Sequence, residues 1–166
     1  MRIKELNHKK DIERVCDLAQ VIWKEHFPGI ISDSQIEYML DKFLSFDVLS
    51  NEIKHGYECD GLINDNDELI GFMLYNFDAD EVFLSKLYLL KSYRGHAYAS
   101  QAFNHLVNKA KSKKAKRIWL TCNKTNEKSL RVYYHWGFKK FDDVVNDIGN
   151  GYVMDDYYLE YQLEGV

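Results

Sequence analysis

The chain has 166 residues, of which 46% are hydrophobic and 14% aromatic, and its formal net charge is -4 at pH 7. That length favours one domain, expected over residues 1–166, and that composition excludes a disordered chain. The mild negative charge gives no overall drive toward nucleic acid or acidic membranes, so neither is expected as a partner.

The opening "MRIKEL" alternates and reads as a strand. From Asp11 to Phe27, apolar residues at Ile12, Val15, Cys16, Leu18, Ala19, Ile22 and Trp23 form a helical stripe. "FPGI" interrupts it, and Ser32 to Ser34 offer N-caps for a second helix carrying Ile36, Met39, Leu40 and Phe43. Three apolar or alternating runs follow, "YECDGLI", "ELIGFMLYNF" and "EVFLSKLYLL", separated by "NDND" and "DAD". They predict an antiparallel meander. A loop, "YRGHAYASQAF", leads into a helix with apolar Ala99, Ala102, Phe103, Leu106, Val107 and Ala110. "RIWLTC" reads as a buried strand. Asn126 to Trp136 then form a short helix closed by Gly137, and "GYVMDDYYLEYQL" is a final strand. The order β-αα-βββ-α-β-α-β(β) predicts a mixed α/β layered domain, with a parallel, right-handed βαβ piece from Glu81 to Cys122.

Cys16, Cys59 and Cys122 are far apart and show no CxxC or His/Cys metal spacing, so neither a disulfide framework nor a metal site is expected. The first ten residues are charged, and no apolar run approaches the ~20 residues of a membrane span. A soluble, cytoplasmic protein is the expectation. The basic run Lys109 to Arg117 falls at the end of a predicted helix, where cations complement the helix dipole.

The loop from Tyr93 holds one glycine, followed by small residues, where a helix begins. Helix N-termini carry unpaired N–H groups that suit a phosphate. The amides of Gly95, His96, Ala97, Tyr98 and Ala99 are placed to converge on an anion, with Arg94 adding a fork of donors. A plain turn before a helix explains the same residues. Dinucleotide and Walker loops do not, because the second and third glycines of GxGxxG and the GK[ST] triplet are missing.

Two motifs in order narrow the choice. "RGHAYA" at a helix start, followed by Asn126, Ser129, Tyr133, Gly137 and Phe138 at their spacings, resembles the GNAT superfamily of N-acetyltransferases. Within it, the chain is similar to bacterial members grouped with the diamine and polyamine acetyltransferases. The resemblance implies an acyl-CoA N-acyltransferase fold: a central, mostly antiparallel sheet with a parallel βαβ piece, flanked by helices. It further implies acetyl-CoA as cosubstrate, no metal, and direct attack by a primary amine in a ternary complex. Its pyrophosphate would lie on Arg94 to Ala99, and its pantetheine arm along the Leu87 and Leu89 backbones. Asn126 would both cap its helix and bind the cofactor, beside Ser129.

The resemblance also makes Tyr133 the acid that protonates the leaving thiolate. Tyr134, about 100° around the helix, is the weaker candidate. No base is assigned. Ser85 stands about where relatives keep a Glu, while Glu81, His55 and His135 are further options. Glu37, Asp155 and Asp156 would suit a polycation, and Trp23, His26, Phe27, Ile31, Gln35, Tyr38 and Met39 an acceptor pocket or simply a core.

Two departures from the family pattern matter. Ser129 replaces an Ala, and Ala97 replaces the internal Gly of the loop. A left-handed Ala97 would cost roughly 1 kcal/mol or more, a helical one nothing. The stripe already running by Ala99 favours the helical conformation. Two other readings stay open, a CoA-binding regulatory module without catalysis and a protein or peptide N-acetyltransferase. A terminal strand edge offers a route to a homodimer.

Overall fold

Seven strands hydrogen-bond in the order β1-β2-β3-β4-β5-β7-β6 in the computed structural model, which describes residues 1–163. They are β1 (Arg2–Glu5), β2 (Glu58–Ile63), β3 (Leu69–Asp78), β4 (Glu81–Leu89), β5 (Arg117–Asn123), β6 (Lys139–Gly149) and β7 (Tyr152–Gln162). The helices are α1 (Lys9–His26), α2 (Asp33–Leu44), α3 (Phe46–Lys54), α4 (Tyr98–Ser112) and α5 (Glu127–Trp136). β1 and β2 pair antiparallel, as do β2 and β3, whereas β4 and β5 run parallel from Glu81↔Arg117 to Phe83↔Trp119. This is the expected mixed sheet, with a parallel β4-β5 pair in the βαβ piece from Glu81 to Cys122.

One element, α3, departs from the expected order, and a second, β6, fills the place left optional after the last helix. α3 is an additional helix in the stretch between the second helix and the meander. Ser45 starts it, its Oγ accepting from Val48 N at 3.3 Å, and only Leu49 is buried. One buried side chain leaves no stripe for a periodicity argument to find. β6, the optional strand of the expected β(β) ending, is a full eleven-residue strand, mostly exposed, and its polar sequence shows no alternation. It exists because β7 offers it a partner from Lys139↔Glu160 to Gly149↔Tyr152.

The chain forms two compact units, whose boundaries cut β3, β4 and α4. The first comprises Met1–Asn76 and Ser85–His105. Its core is built from Ile12, Val15, Ala19 and Ile22 of α1, Leu40 and Leu44 of α2, and Leu62, Ile70, Phe72 and Leu74 of β2 and β3. β2 and β3 are buried on both faces, so they read as continuous apolar runs rather than alternating ones. The second comprises Phe77–Leu84 and the chain from Leu106 onward. Val82, Leu84, Leu106, Ala110, Ile118, Leu120, Leu130, Phe138 and Leu159 fill it.

The basic run after α4 is used inside the second unit. Lys116 pairs with Asp80 at 3.0 Å, and Arg117 joins Glu81 at 2.9 Å and Glu160 at 2.7 Å. The three cysteines are free thiols. No helix among the described residues is long and apolar enough to cross a membrane, and no group of three or more His, Cys, Asp or Glu side chains is arranged to hold a metal ion.

Candidate active site

In the first unit, β4 ends at Leu89 and a single 3-10 turn, Lys91–Tyr93, carries the chain to α4. Three anchors fix this turn. Leu90 N donates to Ile70 O at 2.9 Å, Lys91 N to Glu25 Oε2 at 3.1 Å, and Asn64 Nδ2 to the Tyr93 hydroxyl at 3.1 Å. Arg94 is half-buried and turns back toward the strand. Its Nε donates to Leu89 O at 3.2 Å, and Nη1 lies 3.4 Å from His26 Nδ1. Burial lowers its pKa, with Glu25 opposing. So part of the Arg94 fork holds the end of β4 in shape.

Two residues of the loop are left-handed. Gly95 has φ +83° and Ala97 φ +63°. The helical conformation expected of Ala97 is therefore wrong. α4 begins one residue later, at Tyr98, and the Ala97 carbonyl accepts its first bond, from Gln101 N at 3.0 Å. The helical stripe does reach Ala99, but it carries no information about the residue that turns the chain into the helix. At the N-cap an ordinary Ser, Asp or Asn side chain would accept from the first-turn N–H groups. An alanine supplies no such acceptor. Left-handed residues in a turn before a helix N-terminus can aim successive amides at one point, as in an anion nest, and Gly95 and Ala97 are two such residues. Gly95, His96 and Ala97 are exposed, with Tyr98 and Ala99 half-buried. Tyr98 lies between the rings of Tyr93 and His96, at 6.5 and 5.7 Å. Leu87 is half-buried and Leu89 buried.

In the second unit, β5 runs into an Asx turn in which Asn123 Oδ1 accepts from Thr125 N at 2.9 Å and Thr125 Oγ1 at 2.7 Å. Asn126 follows as the N-cap residue of α5 and is buried, but its side chain makes no capping hydrogen bond. That corrects the capping role expected of it. Its carbonyl instead receives Leu130 N at 3.0 Å. Ser129 is half-buried one turn on. Tyr133 packs edge-on against Trp136 and Phe138, with ring centroids 5.8 and 5.7 Å apart. Tyr134 points elsewhere and is 45% exposed. Partial burial, then Tyr157 and Cys122, push its pKa up, making it the poorer acid. Gly137 closes the helix in the left-handed region at φ +110°.

The base candidates are mostly engaged. Glu81 is held by Arg117, and the Ser85 hydroxyl accepts from Lys86 Nζ at 3.1 Å. His55 is exposed at the end of α3 with Nδ1 2.7 Å from Asn51 O, and His135 is exposed on α5. Of the three carboxylates noted for a polycation, Glu37 pairs with Lys24 at 3.4 Å and Asp155 with Lys124 at 2.6 Å. Asp156 differs from both. It is 3% exposed on β7, and burial, then Asp155, push its carboxyl up to about 6 against the pull of Lys124. Of the residues proposed for an acceptor pocket, Trp23 and Met39 are buried core. Trp23 packs on Phe27 at 4.3 Å and on Tyr88 at 6.0 Å.

The match that decides the family covers both motifs: residues 15–138 fit the model of the acetyltransferase (GNAT) family. The chain belongs to the GNAT family. An uncharacterized N-acetyltransferase of Mycobacterium bovis is 38% identical to this GNAT chain over 72 residues, and one of Mycobacterium tuberculosis matches equally. That stretch is 43% of this chain and spans under half, 46%, of each relative. Among solved structures, the PaiA N-acetyltransferase of Thermoplasma acidophilum in complex with coenzyme A superposes with a TM-score of 0.82. It is 24% identical, over 98% of this chain and 99% of that one. A ribosomal-protein alanine N-acetyltransferase of Escherichia coli gives 0.74 at 14% identity, over 99% and 97%. At such identities the likeness is one of fold.

Proposed function

We propose that this GNAT protein transfers the acetyl group of acetyl-CoA to a primary amine of a small molecule, by direct attack. The observation that carries the reading is the loop before α4, left-handed at both Gly95 and Ala97 and ending in an N-cap without a side-chain acceptor. An anion satisfies such amides where the chain itself supplies nothing. The pyrophosphate of CoA is assigned to the amides of Gly95, His96, Ala97, Tyr98 and Ala99, with the unengaged part of the Arg94 guanidinium. The pantetheine is assigned to the Leu87 and Leu89 backbones, and Asn126, Ser129 and Tyr133 complete the cofactor set.

Bound acetyl-CoA supplies the electrophilic carbonyl. The chain's own tasks are to place N–H donors where charge develops on that oxygen and to return a proton to sulfur. Tyr133 suits the second task, since a phenol remains protonated at neutral pH yet is acidic enough to donate. A diamine or polyamine is the favoured acceptor class, because Asp156 is a buried carboxylate that no ion pair among the described residues engages, and an ammonium group would complement it.

A thiol-release assay over polyamines, aminoglycosides, amino acids and peptides tests the activity. CoA release with one amine class supports it. Calorimetric CoA binding with no turnover of any amine sinks it in favour of a regulatory module, and turnover confined to peptides replaces the acceptor class. Tyr133→Phe should lower kcat about 100-fold or more. Full activity in that variant would remove its role as acid.

A further inference from the structure

The conspicuous group that these roles leave over is a buried carboxylate in the middle of the second unit. β7 lies between β5 and β6, and Asp156 is paired with Asn123 on one side and Val144 on the other. Residues directly opposite in antiparallel strands share a face. Asp156 therefore stands in a row with Asn123 and Val144. Thr121, Tyr158 and Asp142 form the next row along that face, and Met154 and Asn146 flank it on the other side. The opposite face carries Cys122, Tyr157 and Asp143 in one row, with Val145 and Asp155 in the next.

The two faces treat their carboxylates differently. On the Asp155 face, Lys124 joins both Asp143 and Asp155 in ion pairs. Glu160, further along the face of Asp156, is taken by Arg117. Asp156 is more deeply buried than any of these, yet among the described residues neither an ion pair nor a hydrogen bond reaches its carboxylate. Its nearest same-face titratable neighbours, Tyr158 and Asp142, are not cations, Asn146 Nδ2 donates to the Tyr158 hydroxyl at 3.1 Å instead, and Lys124, the cation whose charge reaches Asp156, is held by Asp143 and Asp155. Buried carboxylates are normally satisfied, and one without a partner awaits a ligand that brings its own positive charge and N–H donors.

We propose that Asp156 receives the ammonium group of the acceptor and takes its proton, acting as the general base of acetyl transfer. This rests on the amine N-acetyltransferase reading above. The acceptor arrives as R–NH3+, and one proton passes to the Asp156 carboxylate, freeing the nitrogen lone pair. That pair forms the bond to the thioester carbonyl carbon while the C–S pair leaves with sulfur. Nitrogen then loses a second proton, which balances the one gained by the thiolate, and Asp156 returns its own to water. Burial and Asp155 raise the carboxyl to about 6. It is thus ionised at neutral pH while more basic than an exposed aspartate, which suits proton abstraction. The rival bases Glu81 and Ser85 are committed to Arg117 and Lys86.

The test is the pH dependence of kcat/KM from about pH 5 to about pH 9, read by thiol release with spermidine and acetyl-CoA, for wild type, Asp156→Asn and Asp155→Asn. The wild type should show an acid limb near pH 6. Asp156→Asn should lose that limb and about 100-fold or more in rate, with CoA binding by calorimetry unchanged. Asp155→Asn should move the limb to lower pH, because a negative neighbour has gone. Wild-type rate and limb in Asp156→Asn overturn the assignment and leave the acetyltransferase reading intact. Should Asp156→Asn not fold, the wild-type profile decides alone, and a flat one across that range overturns the assignment. No turnover by wild type with any amine of the panel overturns both, and the two failures differ in the wild-type trace.

Discussion

Ala97 is the residue whose backbone conflicts most with its chemistry. An L-residue with φ near +60° brings Cβ against its own carbonyl, at about 1–2 kcal/mol, and glycine avoids this. Gly95 meets the same demand with the residue suited to it, and a Cβ there would touch nothing within 4 Å. The two positions should therefore respond with opposite signs. Ala97→Gly relieves strain but loosens the unfolded chain by about 0.5–1 kcal/mol, so a gain of up to about 1 kcal/mol is expected. Gly95→Ala should cost about 1 kcal/mol, although no atom obstructs it. Urea unfolding of both variants checks this, and a loss on Ala97→Gly would mean the residue is not left-handed in solution. The loop's place between strand and helix is legible from the sequence, but its handedness is not. A dihedral at one residue is set by the turn it completes and leaves no periodic trace. The same holds for Asp156. "MDDYYLEY" reads as a half-exposed strand, and its pattern does not say which aspartate is paired with a lysine and which is sealed without one.

At the level of elements, legibility follows how much of each element is buried. α1 and the meander strands bury whole faces and were readable as stripes and apolar runs. α4 and α5 were placed by their motifs as well as by period. α3 buries one side chain, and β6 is a solvated strand sustained by pairing with β7, so neither left a pattern. α3 is held instead by its start, where the Ser45 hydroxyl satisfies Val48 N. Nine residues are too few for an isolated helix to persist in water. Ser45→Ala should then cost about 1 kcal/mol. Hydrogen exchange should speed up at the amides of α3 with little change in β5 and β7. Equal loss throughout the chain would mean that α3 does not open as a local unit.

For the whole molecule, the proposed base imposes a pH-dependent stability. Asp156 holds its proton more tightly in the native state, with a pKa of about 6 against an ordinary value of about 3.9 when unfolded. Between those values the native state binds more protons than the unfolded chain. Stability thus falls as pH rises through the window, and the loss is complete above it. For a group this deeply buried the span amounts to about 3 kcal/mol. Glu52 acts in the same direction, its pKa raised chiefly by burial with Lys86 opposing. Asp156→Asn removes the ionisable group, so above about pH 7 the variant should be the more stable protein by up to about 3 kcal/mol. Below about pH 4 the two should nearly coincide. Denaturant midpoints across that range decide it. A stability difference that does not grow with pH would mean that Asp156 is not carried in the fold as an unpaired charge. If the variant gains stability at neutral pH while losing turnover, the buried carboxylate is retained for the reaction rather than for the fold, since a purely structural carboxylate would leave the protein weaker when replaced.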